Sequence, residues 1–128
     1  AVICAVMDAR CQQVYNAIFD ATGEKLVRLT EDRALSIQDL AIECEKYRKP
    51  LYLVGDGAKL CYNTESFQQL GVLLPPESLI YQRASMVGQA AFDLYQKGLQ
   101  TTPAALSPFY LRLPQAEREL KKKLLKKD

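Results

Sequence analysis

The chain has 128 residues, of which 48% are hydrophobic and 25% are charged, and its formal net charge is +2. This length and composition predict one globular domain, and so small a net charge gives no argument for a nucleic-acid partner. Because the sequence contains no histidine, its own residues cannot supply a histidine-based triad, general base or metal site.

The amino-terminal part of the chain predicts three consecutive strands. Val2–Met7 is a continuous apolar run with β-branched residues, the pattern of a strand that is covered on both faces. The turn Asp8-Ala9-Arg10 joins it to a second strand, predicted over about Gln13–Ala21. After a tight turn at Thr22-Gly23, the alternating segment Lys25–Leu29 predicts a third and more exposed strand.

The middle of the chain alternates helices with short strands. The polar segment Thr30–Leu35 is expected to cross an edge of the sheet, and Ser36 then caps an amphipathic helix over Ile37–Tyr47. The next predicted elements are a strand at Leu51–Val54, a turn at Gly55-Asp56-Gly57, a helix over about Ala58–Phe67, an irregular loop at Val72–Pro76 and a short strand at Ser78–Tyr81.

A third helix and a basic tail complete the predicted order. The third helix is indicated by an apolar stripe at helical spacing, and Gly98 closes it. The stripe consists of Ala84, Val87, Ala91, Leu94 and Tyr95. A proline-flanked extended segment, Phe109–Arg112, leads to Pro114, which can open a last helix. We therefore divide the chain into a main lobe, residues 1–113, and a basic helical tail, residues 114–128, with lysines up to Lys127.

The predicted element order and two end motifs point to one family. The order βββαβα(β)α, followed by an extended segment and a helix, indicates an α/β, RNase H-like half-domain, the unit that is doubled in the actin-like ATPase superfamily. VICAVMDARCQQVY near the start and SPFYLRLPQAERELKKK near the end together resemble the carboxy-terminal half of the TsaB (YeaZ) family of bacterial tRNA threonylcarbamoyladenosine biosynthesis proteins. The matching residues are Asp8-Ala9-Arg10, Val14-Tyr15, Gly55-Asp56-Gly57 and Pro108–Arg112.

The resemblance implies a non-catalytic scaffold lobe. In that family TsaD transfers the threonylcarbamoyl group, and TsaB supports it together with the ATPase TsaE. The family's amino-terminal half, with its GPGSFTG-type loop, has no counterpart here, so we expect a fragment whose partners TsaD and TsaE are reached through the full-length parent. We further expect cytoplasmic localisation, no cofactor in this chain, with ATP or ADP as candidate ligands of the full complex, and self-association of the isolated lobe through its uncovered apolar surface.

Three short segments are candidate sites, and each has a structural as well as a functional interpretation. Asp8 and Arg10 lie where actin-like ATPases place a hairpin that binds phosphate, but this turn has no glycine. Either the turn only shapes the cleft, or Arg10 binds a phosphate or carboxylate through its side chain. Gly55-Asp56-Gly57 follows a strand, and is either a ligand site or a tight turn in which Asp56 caps the next helix. Tyr110 and Arg112 either contact a partner or ligand, or form a docking strand with Tyr110 packed and Arg112 in a surface ion pair.

Other functions remain as alternatives. A lobe of an ATP-dependent actin-like enzyme, such as a small kinase, is the second hypothesis; a nuclease with two metal ions is the third, although only Asp8 is a suitably placed acid. The four cysteines show no metal-type spacing and are expected as free thiols in a reducing cytosol. The lysine-rich tail has no interleaved aromatic residue, so no direct tRNA binding is expected, and no apolar run is long enough for a membrane span.

Overall fold

The computed structural model describes residues 1–126, in which strands come first and helices predominate later, a mixed α/β fold. The elements are β1 (Val2–Asp8), β2 (Gln13–Asp20), β3 (Val27–Arg28), β4 (Arg33–Ser36), α1 (Ile37–Cys44), β5 (Leu51–Val54), α2 (Ala58–Tyr62), α3 (Glu65–Gln69), α4 (Glu77–Ile80), α5 (Ala84–Gln96) and α6 (Gln115–Leu125). Lys127, the last lysine of the predicted tail, lies outside the described residues.

The sheet is mixed, and β1 lies inside it. β1 pairs antiparallel with β2 along its full length and parallel with β5, whose bounds agree with the prediction. β2 is flanked on its other side by β3 near one end and by β4 near the other, both antiparallel. The parallel pairing of β1 and β5 brings the end of β1 next to the turn that follows β5.

Only one face of β1 is fully covered, which corrects the expectation of burial on both faces. Val2, Cys4 and Val6 are buried in the core against the helices, whereas Met7 on the opposite face is 49% exposed. That second face of the sheet borders an apolar cavity of about 380 Å³, which Phe109 and other apolar side chains line. The continuous apolar run therefore reflects a sheet with one packed face and one partly open apolar face.

The sheet edge beyond β2 differs from its prediction. The third strand is only Val27–Arg28, and the segment expected to cross the edge instead forms β4 on the same side of β2. Between the two strands, the side-chain oxygen of Thr30 accepts a hydrogen bond from the backbone N–H of Ile18 at 2.8 Å. The Thr30 hydroxyl thus takes the place of a backbone carbonyl as the acceptor for Ile18. The edge strand is broken between β3 and β4, but the backbone N–H of β2 at this position is still hydrogen-bonded.

Helix α1 begins as predicted and ends earlier. The backbone N–H of Asp39 donates to the Ser36 side chain at 3.0 Å, which confirms Ser36 as the N-cap. The helix ends at Cys44 rather than at Tyr47. Its buried face packs on the covered side of the sheet.

Two predictions in the middle of the chain were wrong. The helix expected over Ala58–Phe67 is split into α2 and α3, because Thr64 is extended and its hydroxyl donates to the carbonyl of Cys61. Ser78–Tyr81 is mostly the helix α4 rather than a strand. The residue that extends the sheet next to β5 is Leu73, through a single parallel bridge to Tyr52 within the predicted loop.

Helix α5 contains the predicted apolar stripe but lacks the packing that this stripe would predict. Gly98, with φ +81°, follows its end, yet α5 contains no buried residue. Val87 is 65% exposed and Tyr95 58% exposed. An amphipathic helix therefore presents its apolar face to solvent. Among the described residues, no helix is long and apolar enough to span a membrane.

Candidate functional site

The loop between β1 and β2 is an unusual glycine-free hairpin. Arg10, Cys11 and Gln12 all have positive φ angles, between 53° and 64°. A left-handed backbone costs a residue with a side chain about 1 kcal/mol or more, so this loop is held in place by its surroundings. Within it, the N–H of Ala9 donates to the carbonyl of Gln13 at 2.9 Å.

The side chain of Asp8 closes the hairpin from inside. Its Oδ1 accepts the backbone N–H of Arg10 at 2.8 Å, while its Oδ2 lies 3.8 Å from the Arg10 guanidinium. The Arg10 side chain is 88% exposed, so this ion pair contributes little to stability. Asp8 therefore shapes the loop, and Arg10 projects into solvent at its tip.

The turn after β5 supports the same hairpin, and Asp56 does not cap the next helix as expected. Its Oδ1 accepts the backbone N–H of Asp8 at 3.0 Å, and α2 has no side-chain cap. A Cβ on Gly55 would lie 2.1 Å from the carbonyl oxygen of Val6, and one on Gly57 3.1 Å from the backbone nitrogen of Asp8. Both glycines thus allow the turn to lie against the end of β1, which accounts for them without a ligand.

Replacing Asp56 by alanine is expected to lower the free energy of unfolding by about 1 kcal/mol, since the N–H of Asp8 loses a charged acceptor. Urea denaturation measures this loss. Asp56→Asn keeps an acceptor oxygen and should lose less than half as much. Equal stability of Asp56→Ala and the parent chain would show that the contact does not support the hairpin.

The segment near the carboxyl end also contacts this hairpin. A guanidinium nitrogen of Arg112 donates a hydrogen bond to the backbone carbonyl of Ala9. Tyr110 is 80% exposed. These contacts correct the structural interpretation of the segment, because Tyr110 is not packed, Arg112 bonds a carbonyl rather than a carboxylate, and Phe109–Arg112 is not a strand.

A cavity of about 670 Å³ lies between the hairpin and this segment. Its walls are built from two regions that are about a hundred positions apart in the sequence. They consist of Ala9, Arg10, Cys11, Tyr15, Tyr110, Leu111, Arg112, Leu113, Pro114, Gln115 and Arg118. The structure thus brings the candidates Arg10, Tyr110 and Arg112 to one cavity. The other candidates support the hairpin and do not line this cavity: Asp8, Gly55, Asp56 and Gly57.

Arg118 lines this cavity, and sequence reasoning missed it. It is the least exposed residue of α6, and its Nε is shielded from solvent without a hydrogen-bond partner among the described residues. Its position in a helix rich in lysine and glutamate gives no signal, because any charged residue there is expected to face solvent.

The buried cysteines lie away from this cavity. Cys4, Cys44 and Cys61 are buried free thiols, as expected. Burial raises the pKa of the Cys61 thiol to about 12, and a hydrogen bond with Cys44 together with burial raises the pKa of Cys4. Cys4 and Cys61 therefore stay protonated and are poor nucleophiles. The hydrogen bond with Cys4 lowers the pKa of the Cys44 thiol, which is buried. Within residues 1–126, no three side chains of the metal-ligating types come close enough to hold a metal ion.

The fold is similar to that of a solved structure. The crystal structure of an uncharacterized protein from Pseudomonas aeruginosa with similarity to the peptidase YeaZ superimposes with a TM-score of 0.62, at 17% sequence identity. The match covers 87% of this chain and 49% of that one, so this chain spans about half of its length. No protein-family model and no curated protein matches the sequence. The comparison therefore establishes a YeaZ-like fold.

Proposed function

We propose that this chain is the RNase H-like, carboxy-terminal lobe of a two-lobed TsaB-like protein. Its role is that of a non-catalytic scaffold that supports TsaD-like and TsaE-like partners in the threonylcarbamoyladenosine modification of tRNA. The observation that carries the proposal is the structural match to the YeaZ-like protein over 87% of this chain. At 17% identity this likeness concerns the fold, and the step to function rests on the motifs described next.

The contact between the two ends of the chain supports the proposal. Asp8-Ala9-Arg10 and Tyr110-Leu111-Arg112 are the segments that resemble the TsaB family, and the bond from Arg112 to Ala9 joins them. The strand arrangement also agrees with an RNase H-like unit, with an antiparallel β1–β2 pair, a parallel β5 and a single parallel bridge at Leu73 beyond β5.

The exposed face of α5 supports a two-lobed parent. An apolar stripe along a 13-residue helix without a buried residue is typical of a surface that another body covers. The YeaZ-like protein is about twice the matched length, which leaves room for a companion lobe in a protein of that kind. In this proposal the lobe's contribution is architectural: it completes the body on which the partners assemble.

The hairpin argues against the kinase-like alternative. A hairpin that grips phosphates does so with free backbone N–H groups. Here the N–H groups of Ala9, Arg10 and Gln13 donate to Gln13, Asp8 and Arg10 respectively. ATP or ADP in the full complex is therefore assigned to the partner proteins.

A hydrolase function is also disfavoured. Because the sequence has no histidine, this chain cannot form a Cys–His or Ser–His catalytic pair with its own residues.

A reconstitution separates the scaffold from the enzyme. The two-lobed parent, added to TsaD-like and TsaE-like proteins with ATP, a threonylcarbamoyl donor and tRNA, is expected to raise tRNA threonylcarbamoylation, and to hydrolyse no ATP by itself. Modification that is equally fast without the parent, or ATP turnover by the parent alone, would contradict the scaffold role; the second result would favour the kinase-like enzyme.

A further inference from the structure

We propose that the cavity between the β1–β2 hairpin and residues 110–118 binds a small phosphate monoester, whose phosphate group is held by Arg10, Arg112 and Arg118. This site goes beyond the scaffold role. It is built from this chain's own residues and does not depend on TsaD-like or TsaE-like partners.

The lining of the cavity has one sign of charge. It includes Arg10, Arg112 and Arg118, and no acidic residue of the described chain lines it. Asp8 is the nearest ion-pair partner, at 3.8 Å from an Arg10 side chain that is 88% exposed, and such an exposed pair is weak. The cavity therefore attracts anions.

Arg118 supplies a donor that lacks an acceptor. Its Nε is inaccessible to water and has no hydrogen-bond partner among residues 1–126. Buried donors of this kind are rare in folded proteins and call for a physical explanation. An oxyanion in the cavity would reach this nitrogen only after the Arg118 side chain moves, so in this structure Arg118 contributes to the site as the third arginine that lines it. The partial burial of Arg118, in a helix whose other residues are exposed, agrees with a role inside the cavity.

Arg112 is held in position before any ligand arrives. Its bond to the carbonyl of Ala9 uses one of the five N–H donors of a guanidinium. A fixed guanidinium loses less freedom when it binds an anion than a mobile one does. Since the N–H groups of Ala9, Arg10 and Gln13 are engaged, this grip relies on side chains rather than on those backbone groups.

The shape of the cavity favours a phosphate that carries a flat body. One carboxylate is satisfied by a single guanidinium fork, whereas the oxygens of a phosphate monoester accept from several arginines. Tyr110, which is 80% exposed, and Tyr15 offer ring surfaces next to the arginines. The volume of about 670 Å³ lies within the range of small-molecule sites.

Isothermal titration calorimetry of the chain tests this site with phenyl phosphate, inorganic phosphate and phenol. We expect saturable binding of both phosphates, tighter for phenyl phosphate, and none of phenol. Arg118→Gln should lower the affinity for phenyl phosphate roughly tenfold or more, as expected for the loss of one hydrogen bond to a charged group. Arg48→Gln, which removes the same charge from an exposed residue outside this cavity, should leave binding unchanged.

Each other outcome overturns part or all of the assignment. Absence of saturable binding of both phosphates contradicts the site, and equal weakening by Arg118→Gln and Arg48→Gln would mean diffuse attraction to positive charge. Tyr110→Ala should lower the affinity for phenyl phosphate to that for inorganic phosphate. An unchanged affinity would show that the phenyl ring is not recognised and that the site binds free phosphate. A negative titration would leave the scaffold proposal and its reconstitution test unaffected. A negative reconstitution would leave the phosphate site and this titration unaffected.

Discussion

Gly55→Ala is expected to lower the free energy of unfolding by about 3 kcal/mol or more. Gly55 has φ +101°, a conformation that residues with a side chain rarely adopt. The added Cβ would lie 2.1 Å from the carbonyl oxygen of Val6, in the central strand β1. Val6 and Gly55 directly follow the paired residues of β1 and β5, so moving either backbone away from the clash weakens the pairing of these two strands.

Thermal and urea denaturation measure the effect of Gly55→Ala, and Gly23→Ala is the matched control. A Cβ on Gly23 meets no atom within 4 Å, so the same substitution there should change stability by less than about 0.5 kcal/mol. The Gly55 variant should melt roughly 10 °C or more below the parent chain. Similar melting temperatures for the two variants would contradict the close approach of the β5–α2 turn to β1.

Placing two aspartates on the apolar face of α5 is expected to abolish self-association of the chain without unfolding it. Val87 and Leu94 are 65% and 48% exposed and belong to the stripe that α5 leaves uncovered. If this face pairs with a second copy at high concentration, charges there must be desolvated on association, which is costly. Light scattering should therefore show more than one chain per particle for the parent and one for Val87→Asp/Leu94→Asp.

The control for α5 carries the same two charges on the opposite side of the helix. Ser85→Asp/Gln89→Asp should associate as the parent chain does, because these positions lie outside the apolar stripe. Circular dichroism should show all three proteins folded, since no residue of α5 is buried. A mass of one chain for the parent at high concentration would contradict the prediction that this face self-associates.

The sequence predicted best those elements whose pattern is local. Strand β5 was predicted with its observed bounds, and Ser36 was identified as the cap of α1 because a serine before an apolar helical repeat is a short-range signal. Strand β4 and the bridge at Leu73 were missed, since both exist only through pairing with residues far away in the chain. Helix α4 was mistaken for a strand, as a short apolar run fits either structure.

The candidate site was predicted in its parts and not in its assembly. Asp8, Arg10 and Arg112 were identified from short motifs, but the bond from Arg112 to Ala9 spans 103 positions and has no local signature. Asp56 was assigned to the wrong partner, because its carboxylate contacts Asp8 in space rather than the helix that follows it in sequence. Whether Tyr110 and Arg112 contact a partner stays a prediction.

Co-elution with a TsaD-type protein tests the central claim most directly. This chain and its two-lobed parent would be run in parallel on a sizing column, each with and without the purified partner. The scaffold proposal predicts that the parent co-elutes and that this chain alone does not, since the partner surface is expected on the companion lobe. Failure of both to co-elute would contradict the TsaB-like assignment, and binding by this chain alone would move the interface onto its own surface.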